Sequence, residues 1–545
     1  MNWFTSLWDQ LPLLLMLSPV IGFLVTSAAA LTERDLVRHF AVSNAVCTLL
    51  LFGGVAWQSI LERNDEIAAR RLVPEPGASA RSIADDREIL HRQVDKQRAD
   101  QYSQRWLAVD GINLWPTFVL ILCTCIILWR TEEPHNGSGW CAPGVLLFES
   151  ASIGAMLAYD LRLYLVAFGT AVLIMSVLIG QSGGSQRRTL AERFLWMQLC
   201  GGAFVMLGFA MLVMAVPWMK IEDASPPPKA LWNIAAIVFE IQKWMSNNQL
   251  AFHYAGDVFP WMFCLMSCGF AIQFGLFPFH SPMLAIFRNT PGPIATLCLV
   301  GLSSVVGTAW LRFVFPIAPS LFMELDGMIV AVALGSALWG ALRAIVPSNP
   351  QVRSANIFLS LSGLSLLGCH AFSLTGLCMT WLMQQQLITS LALSWIALGA
   401  TSVGTADTPP RETSRESNRV LLLMLALFAA GLFASSDLLF SELIAGSLLV
   451  LACTLVATIL SAIAVYSMFD ELTARTLIPT ETTAVKRRSH WTLAPLIVAA
   501  VIVNLAPNLM LRQCEPEFAR HFPRLEPTAS ANSAATSSDN LPETP

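Results

Sequence analysis

Long apolar runs separated by short polar breaks make up most of the chain. A helix that crosses a membrane needs about 20 mostly apolar residues, and runs of that kind recur roughly fourteen times. They lie at 11–30, 40–60, 112–129, 144–159, 161–179, 194–216, 258–279, 293–313, 328–346, 355–377, 379–400, 420–436, 438–469 and 491–511. The run at 438–469 is too long for one straight span, so it is read as two helical pieces with Gly446 near the junction. Runs 144–159 and 161–179 abut so closely that only a tight turn can join them. The pattern predicts an all-α polytopic membrane protein of about 14 transmembrane helices.

The polar breaks divide the chain further. Residues 1–60 hold the first two spans, and 61–105 form an extramembrane segment of closely mixed charge (ERNDE, ADDREILHRQVDKQRAD). A large helical domain follows at 106–470, then a loop and last span at 471–511. Residues 512–545 form a polar tail containing TASANSAATSSDN. With the amino terminus outside, the inner loops carry sixteen Arg and Lys and the short outer loops five: Arg162, Lys220, Lys229, Lys243 and Arg312. The positive-inside rule therefore places both termini on the outer side.

Composition sharpens this picture in three ways. Only 13% of the 545 residues are charged, about half the share of soluble domains, and mean hydropathy is +0.58. A water-soluble enzyme is excluded. So is a nucleic-acid binder, because the net charge is −4 and no basic stripe occurs. Of the 33 basic residues only Lys96, Lys220, Lys229, Lys243 and Lys486 are lysines, and none falls inside an apolar run. A mechanism that needs a membrane-buried lysine has no residue to use. The twelve cysteines lack zinc or iron–sulfur spacing, and no dinucleotide fingerprint occurs. No cofactor or metal is expected in this chain, and any electron transfer belongs to partners.

Ionisable or amide side chains at membrane depth are functional candidates, because each costs free energy there. Glu149 sits inside VLLFESASIGAML, and Glu442 lies in LLFSELIAG after the break ASSD. CGFAIQFGLFPFHSP interrupts an apolar helix with Gly275 and Pro278, flanked by Gln273 and His280. Such a break frees backbone groups that must line a cavity or be buried in protein. Gln384, Gln385 and Gln386 in WLMQQQLITS can bond between helices or hold water. Asp160 and Arg162 fall at the tight turn and are expected to pin it.

Several of these stretches resemble the antiporter-like membrane subunits of respiratory complex I, the NADH:quinone oxidoreductase, and most closely its subunit M. WLAVDGINLWPTFVL resembles that subunit's G-V-D-G-I-S-L-P, and LLFESASIGAMLAYDLRLYL its L-L-E-A-G-M-L-G-V-F-L-A-L-D-L. GFAIQFGLFPFH resembles G-F-A-I-K-V-P-L-F-P-F-H, and LLFSELIAG resembles G-F-V-G-E-F-L-I. The resemblance implies an antiporter-like inverted-repeat fold with two discontinuous helices, and a proton-conducting domain at 106–470. It also implies partner membrane subunits in a complex I-like assembly of the inner (cytoplasmic) membrane. Proton-relay candidates are Glu149, His280, Glu442, Gln273 and Gln386.

The departures from that pattern are specific. Gly169 stands where the family has its essential fifth-span Glu, and Gln273 where the broken helix carries Lys. LSSVVGTAWLRF lacks the eighth-span Lys, and Ala285 and Phe287 replace polar positions after the break. The histidines of Y-S-S-x-x-H-x-G and N-H-G-L-S have no counterpart in FLSLSGLS or at 386–388. The resemblance thus implies a translocating subunit with a depleted Glu/Lys relay. A cation or proton channel subunit with another partner, and a non-conducting structural subunit, are the alternative readings.

Overall fold

The computed structural model describes residues 10–32, 34–71, 106–130, 141–182, 186–215, 232–233, 237, 258–315, 319–346, 350–371, 374–399, 448–477 and 493–521. These are almost wholly helical. The amino-terminal half contributes α1 (Leu11–Thr32), α2 (Arg34–Arg71), α3 (Leu114–Arg130), α4 (Cys141–Leu157), α5 (Leu161–Ser182) and α6 (Arg187–Ala215). Next come α7 (Val258–Phe274), α8 (Ser281–Asn289) and α9 (Gly292–Val314). Then follow α10 (Pro319–Ile345), α11 (Pro350–Leu367), α12 (Leu374–Gly399), α13 (Leu448–Leu477), α14 (Ala494–Leu505) and α15 (Pro507–His521). Among the described residues eight helices are long and apolar enough to cross a membrane, or nine if the bent pair α14–α15 counts as one span. The chain is an all-helical, multi-pass membrane protein.

The surface, more than the core, departs from a soluble fold. The window of α9 is 100% buried, whereas that of α2 is 28% buried. The outer helices turn large apolar side chains outward, among them Leu24, Leu50, Val166, Leu173 and Trp196. The centre holds amides, hydroxyls and a few charges packed among Phe148, Trp381 and Trp395. Lipid tails accept the apolar exterior, and polar groups inside find partners only on other helices. Small residues permit the closest contacts. A Cβ on Gly269 of α7 would meet the Gly201 carbonyl oxygen of α6 at 2.7 Å, so those two backbones touch.

Helix ends follow local chemistry. The Asp110 Oδ1 accepts from the backbone N–H groups of Ile112 and Asn113, and the Asn113 Oδ1 accepts from the Asp110 N–H. That reciprocal cap starts α3. The preceding extended stretch pairs antiparallel with the turn after α4, through Ala108 N–H to the Leu157 carbonyl and Tyr159 N–H to the Trp106 carbonyl. At the α4–α5 turn, Asp160 caps α5 and forms an ion pair with Arg162 at 2.9 Å, as the sequence leads one to expect.

The structure revises two sequence readings. Run 491–511 is not one helix: α14 ends at Leu505 and α15 starts at Pro507, bent by 77°. Proline excludes the α conformation from the residue before it, and Ala506 sits at φ −122°, ψ 53°. Arg312 is not in an outer loop; it is 2% exposed inside α9. Removing it leaves the loop-charge bias in the same direction. Of the run at 438–469, α13 begins at Leu448 and continues to Leu477; the part around Gly446 lies outside the described residues.

Candidate functional site

Glu149 lies in mid-α4, wholly buried, and neither carboxylate oxygen has a protein hydrogen-bond partner. One turn further on, Ser152 Oγ is also buried without a partner. This face of α4 abuts α9 at Gly301, where a Cβ would run into the Phe148 ring and come within 3.2 Å of Ser152 Oγ.

Helix α9 is irregular where it matters. Its α-helical start gives way to π-helical turns at Cys298–Ser303 and again at Trp310–Val314. A π turn widens the helix and shifts its carbonyls out of ordinary register. The Ser303 carbonyl accepts from Gln384 Nε2 of α12 at 3.4 Å, and the hydroxyls of Ser303 and Ser304 have no partner. Gly307 leaves the space that the Gln384 amide occupies. Helix α9 therefore meets Phe148 and Ser152 of α4 on one side and Gln384 of α12 on another.

The break after α7 has the form its sequence implies. Gly275 has φ +77°, its N–H bonds to the Ile272 carbonyl, and the Leu276 N–H bonds to the Ala271 carbonyl at 2.9 Å. This is a Schellman cap, which favours glycine at its left-handed position. A cavity of about 30 Å³ opens beside it, lined by Phe274, Leu276, Ser362, Thr380 and Gln384. That is room for about two water molecules with polar groups to hold them.

The sequence-derived candidates do not converge on one point. Gln273 is 2% exposed and its side chain packs on α6 beside Gly201 and Gly202; its carbonyl accepts from Gln198 Nε2 at 3.0 Å, and its Oε1 is unpartnered. His280 is half-buried on a different side, stacked on Phe277 at 5.7 Å and edge-on to Trp339 at 5.9 Å. Gln386 donates to the Val503 carbonyl of α14 at 3.2 Å. Of the three glutamines, Gln384 faces the cavity. Helical phase is the signal for this: Thr380 and Gln384, four apart, share a face that Gln386 does not. Glu442 lies outside the described residues.

A second charged site was not apparent from sequence. Arg312 and Asp110 form a buried ion pair, 2% and 0% exposed at their side chains. The Tyr159 hydroxyl donates to Asp110 Oδ2 at 2.8 Å, and Arg312 Nη1 donates to the Met156 carbonyl at 3.0 Å. The guanidinium also lies 4.7 Å from the Tyr159 ring centroid. One network thus joins the start of α3, the α4–α5 turn and the end of α9. The signal was a lone Arg in the apolar run AWLRFVF, since a buried cation demands a buried partner.

No protein-family model matches the chain. Among curated proteins it is 26% identical over 224 residues to NADH-quinone oxidoreductase subunit 13 of Thermus thermophilus, covering 41% of this chain and 43% of that protein. It is 22% identical over 290 residues to NAD(P)H-quinone oxidoreductase chain 4 3 of Picosynechococcus sp., covering 52% and 48%. The chain spans about half the length of the curated relatives it matches. Solved structures agree over more of the fold. A chain of respiratory complex I from Thermus thermophilus superposes with a TM-score of 0.66 at 19% identity, covering 94% of this chain and 99% of that one. A chain of the membrane-bound sulfane sulfur reductase, an archaeal respiratory membrane complex, gives 0.71 at 13%, covering 95% and 99%. A chain of the Mrp complex from Dietzia sp. gives 0.63 at 16%, covering 97% and 99%.

Proposed function

The chain being a divergent relative of the antiporter-like membrane subunits, we propose that it is a membrane subunit of a complex I-like NADH:quinone oxidoreductase that passes protons through a relay thinned to Glu149 and neutral polar groups. In this reading residues 106–470 form the conducting unit, an inverted repeat with two discontinuous helices, within about 14 spans in the inner membrane. Both termini face outward, and the electron carriers belong to partner subunits.

The observation that carries the proposal is the state of Glu149. It is buried at mid-helix with both oxygens unpartnered, next in sequence to Phe148, which packs on α9 at Gly301, and α9 carries unpartnered hydroxyls at Ser303 and Ser304. A charge there is costly unless water or a counter-charge reaches it, so its charge state follows what arrives. Ser303, Ser304, the cavity and Gln384 offer water positions beyond it, with Gln273, His280, Gln386 and Glu442 as further relay candidates. The amides can orient water but cannot hold the proton themselves.

The test is proton flux in proteoliposomes containing the purified chain, wild type against Glu149→Gln. We expect the substitution to lower flux about a hundredfold, the lower end of what a positioned acid–base group contributes. Equal flux in both removes Glu149 from the path. A second reading, a channel or antiporter subunit with other partners, is favoured by the comparable superposition on the Mrp chain. Affinity purification from native membranes separates the two: complex I-type subunits support the first reading, cation-antiporter subunits the second.

A further inference from the structure

Neither the ion pair nor the relay uses the thiols. Most of the cysteines lie singly in helices, but two meet across sequence. Cys378, one turn into α12, and Cys514, midway along α15, are 3% and 0% exposed. The Cys514 thiol donates to the Leu511 carbonyl at 3.6 Å, and its side chain meets that of Cys378 where α15 packs on α12. Both are free thiols in the structure. The contact is built rather than casual. On α15, Met510, Cys514 and Phe518 recur every four residues and are all buried, while Asn508, Leu509, Arg512 and Glu515 are exposed. That face lies against α12. Among the described residues no group of three His, Cys, Asp or Glu side chains is placed to bind a metal.

Topology places both thiols at one side of the membrane. The Arg and Lys of the inner loops put the start of α12 and the end of α14 at the outer side. The 77° bend then turns α15 back towards α12. The outer side of a bacterial inner membrane is an oxidising compartment, where disulfides form and persist.

We propose that Cys378 and Cys514 are a disulfide site that ties the terminal helix to α12 on the outer face of the membrane. The inference rests on the outward orientation given above. The oxidant is a thiol–disulfide exchange partner of that compartment. One thiolate attacks the partner's disulfide, forming a mixed disulfide and releasing one partner thiolate. The second cysteine thiolate then attacks the mixed disulfide and expels the other partner thiolate. Two protons move from the cysteines to the partner, which ends as a dithiol, and the cysteine pair is oxidised by two electrons. Exchange takes place while α15 is docking, because thiols buried in apolar surroundings are inert. Once closed, the same burial shields the bond from reductants. Its mechanical effect is local: it holds the α14–α15 corner against α12, already joined to α14 by Gln386 to the Val503 carbonyl and by Asn504 Nδ2 to Ser390 Oγ at 3.2 Å.

The experiment uses the full-length chain with a carboxy-terminal tag, acid-quenched from cells and alkylated before and after reduction. Peptide mass spectrometry reads the two cysteines, and protease access to the tag in intact spheroplasts reads orientation. The proposal expects a linked peptide containing Cys378 and Cys514, lost on reduction and lost in Cys514→Ser, together with an outward tag. Two fully alkylated thiols before reduction, with an outward tag, overturn the disulfide and leave the orientation standing. A tag cut only from the cytoplasmic side overturns the orientation and the proposal with it. The wild-type measurement decides the matter even if Cys514→Ser folds poorly.

Discussion

At the scale of single residues, the buried Asp110–Arg312 pair shows how a fold fixes charges that lipid would reject. Asp110 accepts from two backbone N–H groups, from the Tyr159 hydroxyl and from Arg312, so its oxygens are used from several directions. Removing one partner leaves the other charged and buried, which costs about 3–5 kcal/mol. Arg312→Met is therefore expected to lower the unfolding midpoint in detergent sharply. The double variant Asp110→Asn with Arg312→Met should recover a large part of that loss in a thermal double-mutant cycle. Additive losses would show that the pair is not coupled. Little of this was legible beforehand. The partners are 202 positions apart, and a single Arg near the end of an apolar run reads as a loop residue. Periodicity reports which face a residue shares with its neighbours but not which distant residue it will meet. Glu149 was legible for the opposite reason: a carboxyl in mid-run needs no partner to be conspicuous.

At the scale of elements, the two breaks obey the same backbone rules with different outcomes. After α7 the chain uses glycine in a left-handed conformation, and after α14 it uses a residue forced out of the helix by Pro507. A Cβ at Gly275 would be strained by φ +77° and would meet the Met283 Cβ at 2.7 Å. Gly275→Ala is thus expected to destabilise the protein by about 1–3 kcal/mol, read as a lower thermal midpoint, with Gly169→Ala as control because nothing lies within 4 Å of a Cβ there. Similar losses in both variants would mean that the cap carries no special strain. The first break was legible because Gly and Pro interrupt an apolar run within four residues. The second was not, because Pro507 sits close to the run's end, where proline is also ordinary. The π turns of α9 left no mark that a hydropathy pattern could carry: Cys298–Ser303 reads as plain apolar helix, and its geometry comes from packing against α4 and α12.

For the whole molecule, the chief fact is an apolar outer surface around a core that also holds amides, hydroxyls and an ion pair. Amphipathic periodicity is weak in such helices, so sequence located the spans better than it located their inward faces. Leu173, 55% exposed near the middle of α5, gives a direct test of the outward face. Leu173→Asp should impose an insertion penalty of about 2.5–3.5 kcal/mol, seen as loss of the chain from the membrane fraction. Unchanged recovery would place that side chain against a partner subunit or water rather than lipid.

The pairing of Asp110 with Arg312 also bears on how the subunit senses an electric field. A membrane potential acts on each elementary charge that moves across it with about 2.3 kcal/mol per 100 mV. Two opposite charges locked side by side move as a unit and present almost no net lever to that field. With an amide at Gln273 where the resemblance expects a lysine, Glu149 is one of the few handles that voltage has on the described interior. A rearrangement of these helices is then close to voltage-neutral, and the potential drives what passes through the protein more than it drives the protein itself.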